Sequence, residues 1–185
     1  MKNIVVATKA NVGYYNILIE SCKKNNIDLI VLGLGKKWTG FTMRFKLWSD
    51  YLNKLDENEI VMINDAYDVI ILQNSNHILQ KFKNFNKKIV FSIQSGLFTN
   101  LLFAQSIKCT ENIICMGNMI GYVKYLKQFI KLLFKYPNIW EKYNNDDQMV
   151  INKYVCNKEQ SFFNKYISID KNQELFFVTT GDDLY

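Results

Sequence analysis

An apolar run, Ile60-Val61-Met62-Ile63, ends in Asn64-Asp65-Ala66-Tyr67-Asp68, so two carboxylates stand three positions apart with a tyrosine between them. Such a run reads as a buried strand, and its polar end marks where the chain leaves the core. In open α/β sheets ligands gather at the carboxyl ends of strands, which sets Asp65 and Asp68 at a binding crevice. Like charges in a crevice repel, and a hard divalent cation, completed by phosphate oxygens and water, relieves the repulsion. The same acids also fit turn and helix-capping duty after a strand. This segment alone leaves both readings open.

The elements that must hold these residues follow from periodicity. Asn3 to Thr8, Asp28 to Leu34, Glu59 to Asn64 and Lys88 to Ile93 read as strands. Gly13 to Asn25, Met43 to Leu55, Ser75 to Phe85, Lys124 to Lys135 and Asp146 to Val155 read as helices. Ile113 to Met116 and Met119 to Val123 read as two short strands flanking Gly117-Asn118, and Ile167 to Asp170 with Leu175 to Thr179 as a final pair. Alternation of strand and helix predicts a mainly parallel sheet covered on both faces. No repeat or Pro/Gly-rich linker divides the chain, so one domain over 1–185 is the expectation.

Composition narrows the class. The chain has 185 residues, 49 % hydrophobic and 22 % charged, the balance of a soluble globular domain. The net charge of +6 comes from lysines spread along the chain without a dense basic block, which reads as solvated faces rather than a nucleic-acid surface. Ile4 to Ala7 is too short for a secretory signal core, and no window approaches the roughly 20 apolar residues of a membrane span. Cys22, Cys109, Cys115 and Cys156 lack paired spacing, and His77 is the single histidine, so a zinc site is not expected. Reduced structural thiols in a cytoplasmic protein are the default, with His77 on the surface of a helix.

Several segments, in order, carry a resemblance. They are Val5-Val6-Ala7-Thr8, Val31-Leu32-Gly33-Leu34-Gly35 followed by Trp38, and Ile63 to Ile70 with its Asp-x-Tyr-Asp; then Val90-Phe91-Ser92, Met119-Ile120-Gly121 and Asn145-Asp146-Asp147-Gln148. Together they resemble the glycosyltransferase domain of the procollagen lysyl hydroxylases and related collagen glucosyltransferases. The resemblance implies a GT-A-like nucleotide-binding α/β sandwich using a UDP-sugar and Mn²⁺ or Mg²⁺. It implies that Asp65 and Asp68 hold the metal, that Tyr67 stacks on uracil, and that Val6 and Thr8 contact the nucleoside. Arg44 falls near the family's basic residue at the nucleotide, with Lys46 as the alternative. Trp38, Asp146 and Asp147 fall on the sugar and acceptor side, the acceptor being a hydroxylysine-linked galactose of collagen or a similar hydroxyl.

Elementary chemistry accords with these roles, since a Trp face suits a sugar's apolar face and carboxylates accept from sugar hydroxyls. Trp38 equally fits a cover over the core, and Asn145 to Asp147 also reads as an ordinary helix start. The chain departs from the family at Gln94, where the family has Glu, at Phe98 for Trp, and at Cys115-Met116-Gly117-Asn118 for Asn-Ser-Gly-Gly. A glutamine keeps hydrogen-bonding reach but loses the carboxylate. The family's His-Gly-x-Gly-like motif, which supplies a third metal ligand, has no counterpart before Tyr185, so the chain is expected to be incomplete relative to the family. These departures motivate a second reading, a relative without turnover that serves as a nucleotide-binding or interaction module.

Overall fold

The computed structural model describes residues 1–107, 113–157 and 160–179, without the side chains of 97–100, 103, 156, 157 and 160. The first half alternates strand and helix: β1 (Lys2–Val6), α1 (Tyr15–Lys24), β2 (Asp28–Leu32), α2 (Phe41–Leu52), β3 (Ile60–Asn64), α3 (Ser75–Asn84) and β4 (Ile89–Ile93). The second half runs α4 (Leu97–Ile107), β5 (Ile114–Tyr122), α5 (Val123–Leu133), α6 (Pro137–Lys142), α7 (Asp147–Asn157), α8 (Gln160–Tyr166) and β6 (Ile167–Asp170).

The strands form one sheet in the order β2-β1-β3-β5-β4-β6. β1 pairs parallel with β2 and β3, and β4 parallel with β6, while β5 runs antiparallel between β3 and β4. Alternate residues of each strand enter different cores, as the twofold strand period requires. Ile4, Val61, Ile63 and Phe91 join Phe45, Trp48, Leu126 and Ile151 from α2, α5 and α7 on one face. Val5, Met62, Val90 and Ile120 join Leu18, Cys22, Ile78 and Phe82 from α1 and α3 on the other. The expected sandwich, a mainly parallel sheet covered on both sides, is the one observed.

Three details differ from the sequence expectation. Gly117-Asn118 does not separate two strands, because β5 runs through it. Against β4 the register jumps from Phe91↔Met119 to Ser92↔Cys115, while β3 still pairs Asn64 with Asn118. The strand thus absorbs the turn-like dipeptide as a bulge. Leu175 to Thr179 is not a strand, for its amide donors are spent on side chains. The Asp170 carboxylate accepts from the N–H groups of Glu174, Leu175 and Phe176, and the Gln173 amide oxygen from Val178. Helices α4, α6 and α8 were not expected. His77 is exposed on α3, and Cys22 and Cys115 are free thiols. The expectations for the thiols of Cys109 and Cys156 and for Phe98 fall outside the described residues.

Candidate functional site

From β1 the chain crosses to β2 on one side, whereas β3 pairs on the other side of β1. The connections that leave β1 and β3 therefore lead toward opposite edges of the sheet, which makes a topological switch point, where an open α/β sheet has its crevice. A pocket of about 380 Å³ opens there, within the roughly 300–1,000 Å³ of small-molecule sites. Val6, Thr8, Trp38, Arg44, Asp65, Tyr67 and Asp68, seven of the residues singled out from sequence, all line it.

Local chemistry fixes the pocket walls. The Tyr67 hydroxyl accepts from the backbone N–H of Thr8 and of Lys9, each at 3.0 Å, which ties the β3 exit to the end of β1. The Tyr67 carbonyl accepts from Tyr14 at 2.7 Å. Gly13, at φ +51°, lies so close beneath that carbonyl that a Cβ there would stand 2.3 Å from the oxygen. On the opposite side, Asp65 N–H donates to the Gly117 carbonyl at 2.8 Å. A Cβ on Gly117 would lie 3.0 Å from Asp65 Oδ2, so a side chain at 117 would crowd the carboxylate. Trp38 is 43 % exposed and meets Phe41 edge-on at 5.7 Å; it stands at the pocket rather than over the core.

The charged centre is Arg44, one turn into α2 and buried. Its Nη1 donates to Asp65 Oδ1 at 2.7 Å and its Nη2 donates to Asp147 Oδ2. The guanidinium carbon lies 5.1 Å from the Phe41 ring centroid and 5.0 Å from that of Trp48, within cation–π range. Burial pushes the Asp65 carboxyl above the usual carboxylate range; Arg44 pulls it back, and the neighbouring Asp68 charge raises it again. Burial likewise pushes Asp147 up to about 6, against the opposing pull of Arg44. Lys46, the alternative to Arg44, is exposed and lines a separate groove.

Three predicted residues stand outside the pocket lining: Asp147, which reaches it only through Arg44, and Asp146 and Gln94. Asp146 caps α7, its carboxylate accepting from Met149 N–H at 2.9 Å, which is the helix-start reading. Gln94 is buried, and its side-chain oxygen accepts from Gln148 at 2.8 Å. Sequence reasoning missed Phe41, Trp48 and Asn64 as pocket walls. The signal for the first two is an arginine on an otherwise apolar stripe, since Phe41, Arg44, Phe45 and Trp48 share one helical face.

The donor set suits a hard cation. Asp65 and Asp68 bring carboxylate oxygens to one pocket, and their mutual repulsion is already felt in the Asp65 shift. Asp68 has no hydrogen bond or ion pair among the described residues. No group of three or more His, Cys, Asp or Glu side chains suited to an ion occurs among the described residues. Two carboxylates with phosphate and water completing the shell is how Mg²⁺-like ions are commonly held. Asn64 Oδ1, Arg44 Nε and Trp48 Nε1, all buried on residues lining the pocket, have no hydrogen-bond partner among the described residues.

Comparison with known proteins identifies the family and the fold. The family model described as the PLOD GT domain matches residues 1–183. Procollagen-lysine,2-oxoglutarate 5-dioxygenase 2 of Mus musculus is 25 % identical over 192 residues, covering 96 % of this chain and 25 % of that protein. The Drosophila melanogaster procollagen-lysine,2-oxoglutarate 5-dioxygenase is 36 % identical over 135 residues, covering 66 % of this chain and 19 % of that protein. The multifunctional procollagen lysine hydroxylase and glycosyltransferase of Caenorhabditis elegans is 28 % identical over 144 residues, 70 % of this chain and 20 % of that protein. The chain thus spans a quarter or less of the length of these relatives. Among solved structures, the galactosyltransferase LgtC in complex with donor and acceptor sugar analogs superposes with a TM-score of 0.56 at 14 % identity, covering 84 % of this chain and 71 % of that one. That likeness is one of fold, and the fold is GT-A. No helix among the described residues is long and apolar enough to cross a membrane.

Proposed function

The chain belongs to the PLOD GT domain family, and we propose that it is a metal-dependent glycosyltransferase. In this reading it moves a sugar, glucose by family preference, from a UDP-sugar to a hydroxylysine-linked galactose or a similar hydroxyl. One observation carries the proposal: the ends of β1 and β3 and the first turn of α2 bring Thr8, Tyr67, Asp65, Asp68 and Arg44 into one pocket at the switch point of the sheet.

Asp65 and Asp68 would hold Mn²⁺ or Mg²⁺. When bound, that ion neutralises charge developing on the departing UDP. Val6 and Thr8 flank the nucleoside, and Tyr67, anchored through its hydroxyl, offers an aromatic wall to uracil. Arg44 holds the Asp65 carboxylate and lines the same pocket. Trp38 offers its exposed indole to the sugar. Asp147 orients Arg44, Asp146 secures the helix that carries Asp147, and Gln94 forms a part-buried amide pair with Gln148.

The test is hydrolysis and transfer from UDP-glucose and UDP-galactose in the presence of Mn²⁺. Turnover that drops at least tenfold in Asp68→Asn supports the reading. Tight UDP binding without turnover of either donor favours the second reading, a nucleotide-binding module. That reading has one observation behind it: the amide of Gln94 stands where the family pattern has a carboxylate.

A further inference from the structure

A second concavity, of about 1350 Å³, lies between α2 and α5 on the face of the sheet away from α1 and α3. Lys36, Lys37, Lys46, Lys124, Lys127 and Lys131 line it, against only Asp50 and Glu57. Among the described residues one of these lysines has a carboxylate within ion-pair distance: Lys127, 3.5 Å from Glu57. The other five hold their charge with no acidic partner. Lys124, Lys127 and Lys131 follow the three-and-four spacing that aligns them along one face of α5. Lysines that the sequence scatters over nearly a hundred positions are gathered by the fold into one basic trough.

The trough also has an apolar side. Phe45 and Ile130 line it from within the core, and Phe134, 41 % exposed at the end of α5, joins them. Phe134 is held flat against Trp140 at 4.9 Å and 8°, so its ring is a fixed platform. Grouped unpaired charge favours a complementary anion, and a rigid exposed aromatic favours an apolar anchor. A phosphodiester backbone carries charge at every step and must pass Asp50 and Glu57, whereas a peptide can set its carboxylates only where lysines stand.

We infer that this groove binds an acidic peptide segment carrying an apolar side chain, with carboxylates on the lysine rims and the apolar group on Phe134. Its place identifies whose peptide this is, a step that rests on the glycosyltransferase reading. The loop that brings Lys36, Lys37 and Thr39 to the groove brings Trp38 to the donor pocket. A chain held in the groove therefore ends beside the donor site, which makes it the acceptor's peptide.

The experiment is fluorescence anisotropy on the full chain with a fluorescein-labelled peptide of glutamates interrupted by two phenylalanines. A peptide with Gln for Glu and a single-stranded oligonucleotide of equal charge are the comparisons. The acidic peptide is expected to bind at least tenfold more tightly than either. Lys124→Glu with Lys131→Glu, and separately Lys36→Glu with Lys37→Glu, should each weaken it tenfold or more. Lys23→Glu with Lys24→Glu on α1 makes the same change in net charge on the other face, and should leave binding unchanged. Equal binding of the Gln peptide, tighter binding of the oligonucleotide, or equal weakening by all three reversals would overturn the proposal. UDP titration run in parallel separates the two ideas. If UDP fails to bind while the peptide pattern holds, the groove keeps its ligand and the transferase reading falls.

Discussion

Two concavities adjoin the loop at residues 36–40, and they treat positive charge in opposite ways. In the pocket at the switch point the cation is one buried arginine with a carboxylate on either side and aromatic rings around it. In the groove it is a row of lysines, five of them without a carboxylate partner among the described residues. A buried charge persists only when paired, and removal of either member strands the other. Exposed charges cost little to keep and act at a distance, setting which molecules approach. The pocket should therefore be sensitive to substitution in stability, and the groove in binding alone.

The largest effect tests the pocket's pairing. Arg44→Met leaves Asp65 and Asp147 without a counter-charge, and urea unfolding should show a loss of about 3–5 kcal/mol. The triple variant with Asp65→Asn and Asp147→Asn should recover most of that loss, because no unpaired charge remains. Next comes Gly13→Ala, which forces a Cβ against the Tyr67 carbonyl at positive φ. About 2 kcal/mol should be lost, the scale of local backbone strain, together with part of the UDP affinity.

A smaller effect concerns pH. Burial raises Asp147 from 3.8 to about 6 in the folded protein, so the native state holds a proton that the unfolded chain releases across that interval. Its contribution to stability is full below the unfolded value and is lost as pH rises through about 6. Melting curves should show wild type losing stability relative to Asp147→Asn between about pH 4 and 6, with the difference flat above pH 7. Smallest of all, Lys124→Glu with Lys131→Glu should leave unfolding within about 0.5 kcal/mol of wild type, as substitutions of exposed unpaired groups do.

How much of this was legible in the sequence depends on the distance over which the signal acts. The strand that ends at Asp65 was legible because an apolar run and its polar stop are adjacent in the chain. So was α5, whose apolar residues keep strict helical spacing and bury Leu126, Phe129, Ile130 and Leu133. α4 was not, because Leu97 to Ile107 carries no charged residue and its apolar and polar residues set no clear helical period. Gly117-Asn118 imitates a turn locally, and only pairing with β3 and β4 reveals a continuous strand. Asp146 and Asp147 look equivalent in sequence; one faces the backbone of its own helix and the other an arginine a hundred residues away. The lysine groove was invisible for the same reason, since its rims come from segments that meet only in the fold.

The account depends most on a nucleotide diphosphate and a cation sharing the Asp65–Asp68 turn. Isothermal titration of UDP with and without Mn²⁺, on wild type and Asp68→Asn, addresses that directly. The prediction is that Mn²⁺ tightens UDP binding at least tenfold in wild type and has little effect in Asp68→Asn, whose exposed side chain leaves the fold intact. UDP affinity indifferent to Mn²⁺, or equally enhanced in both proteins, would contradict it.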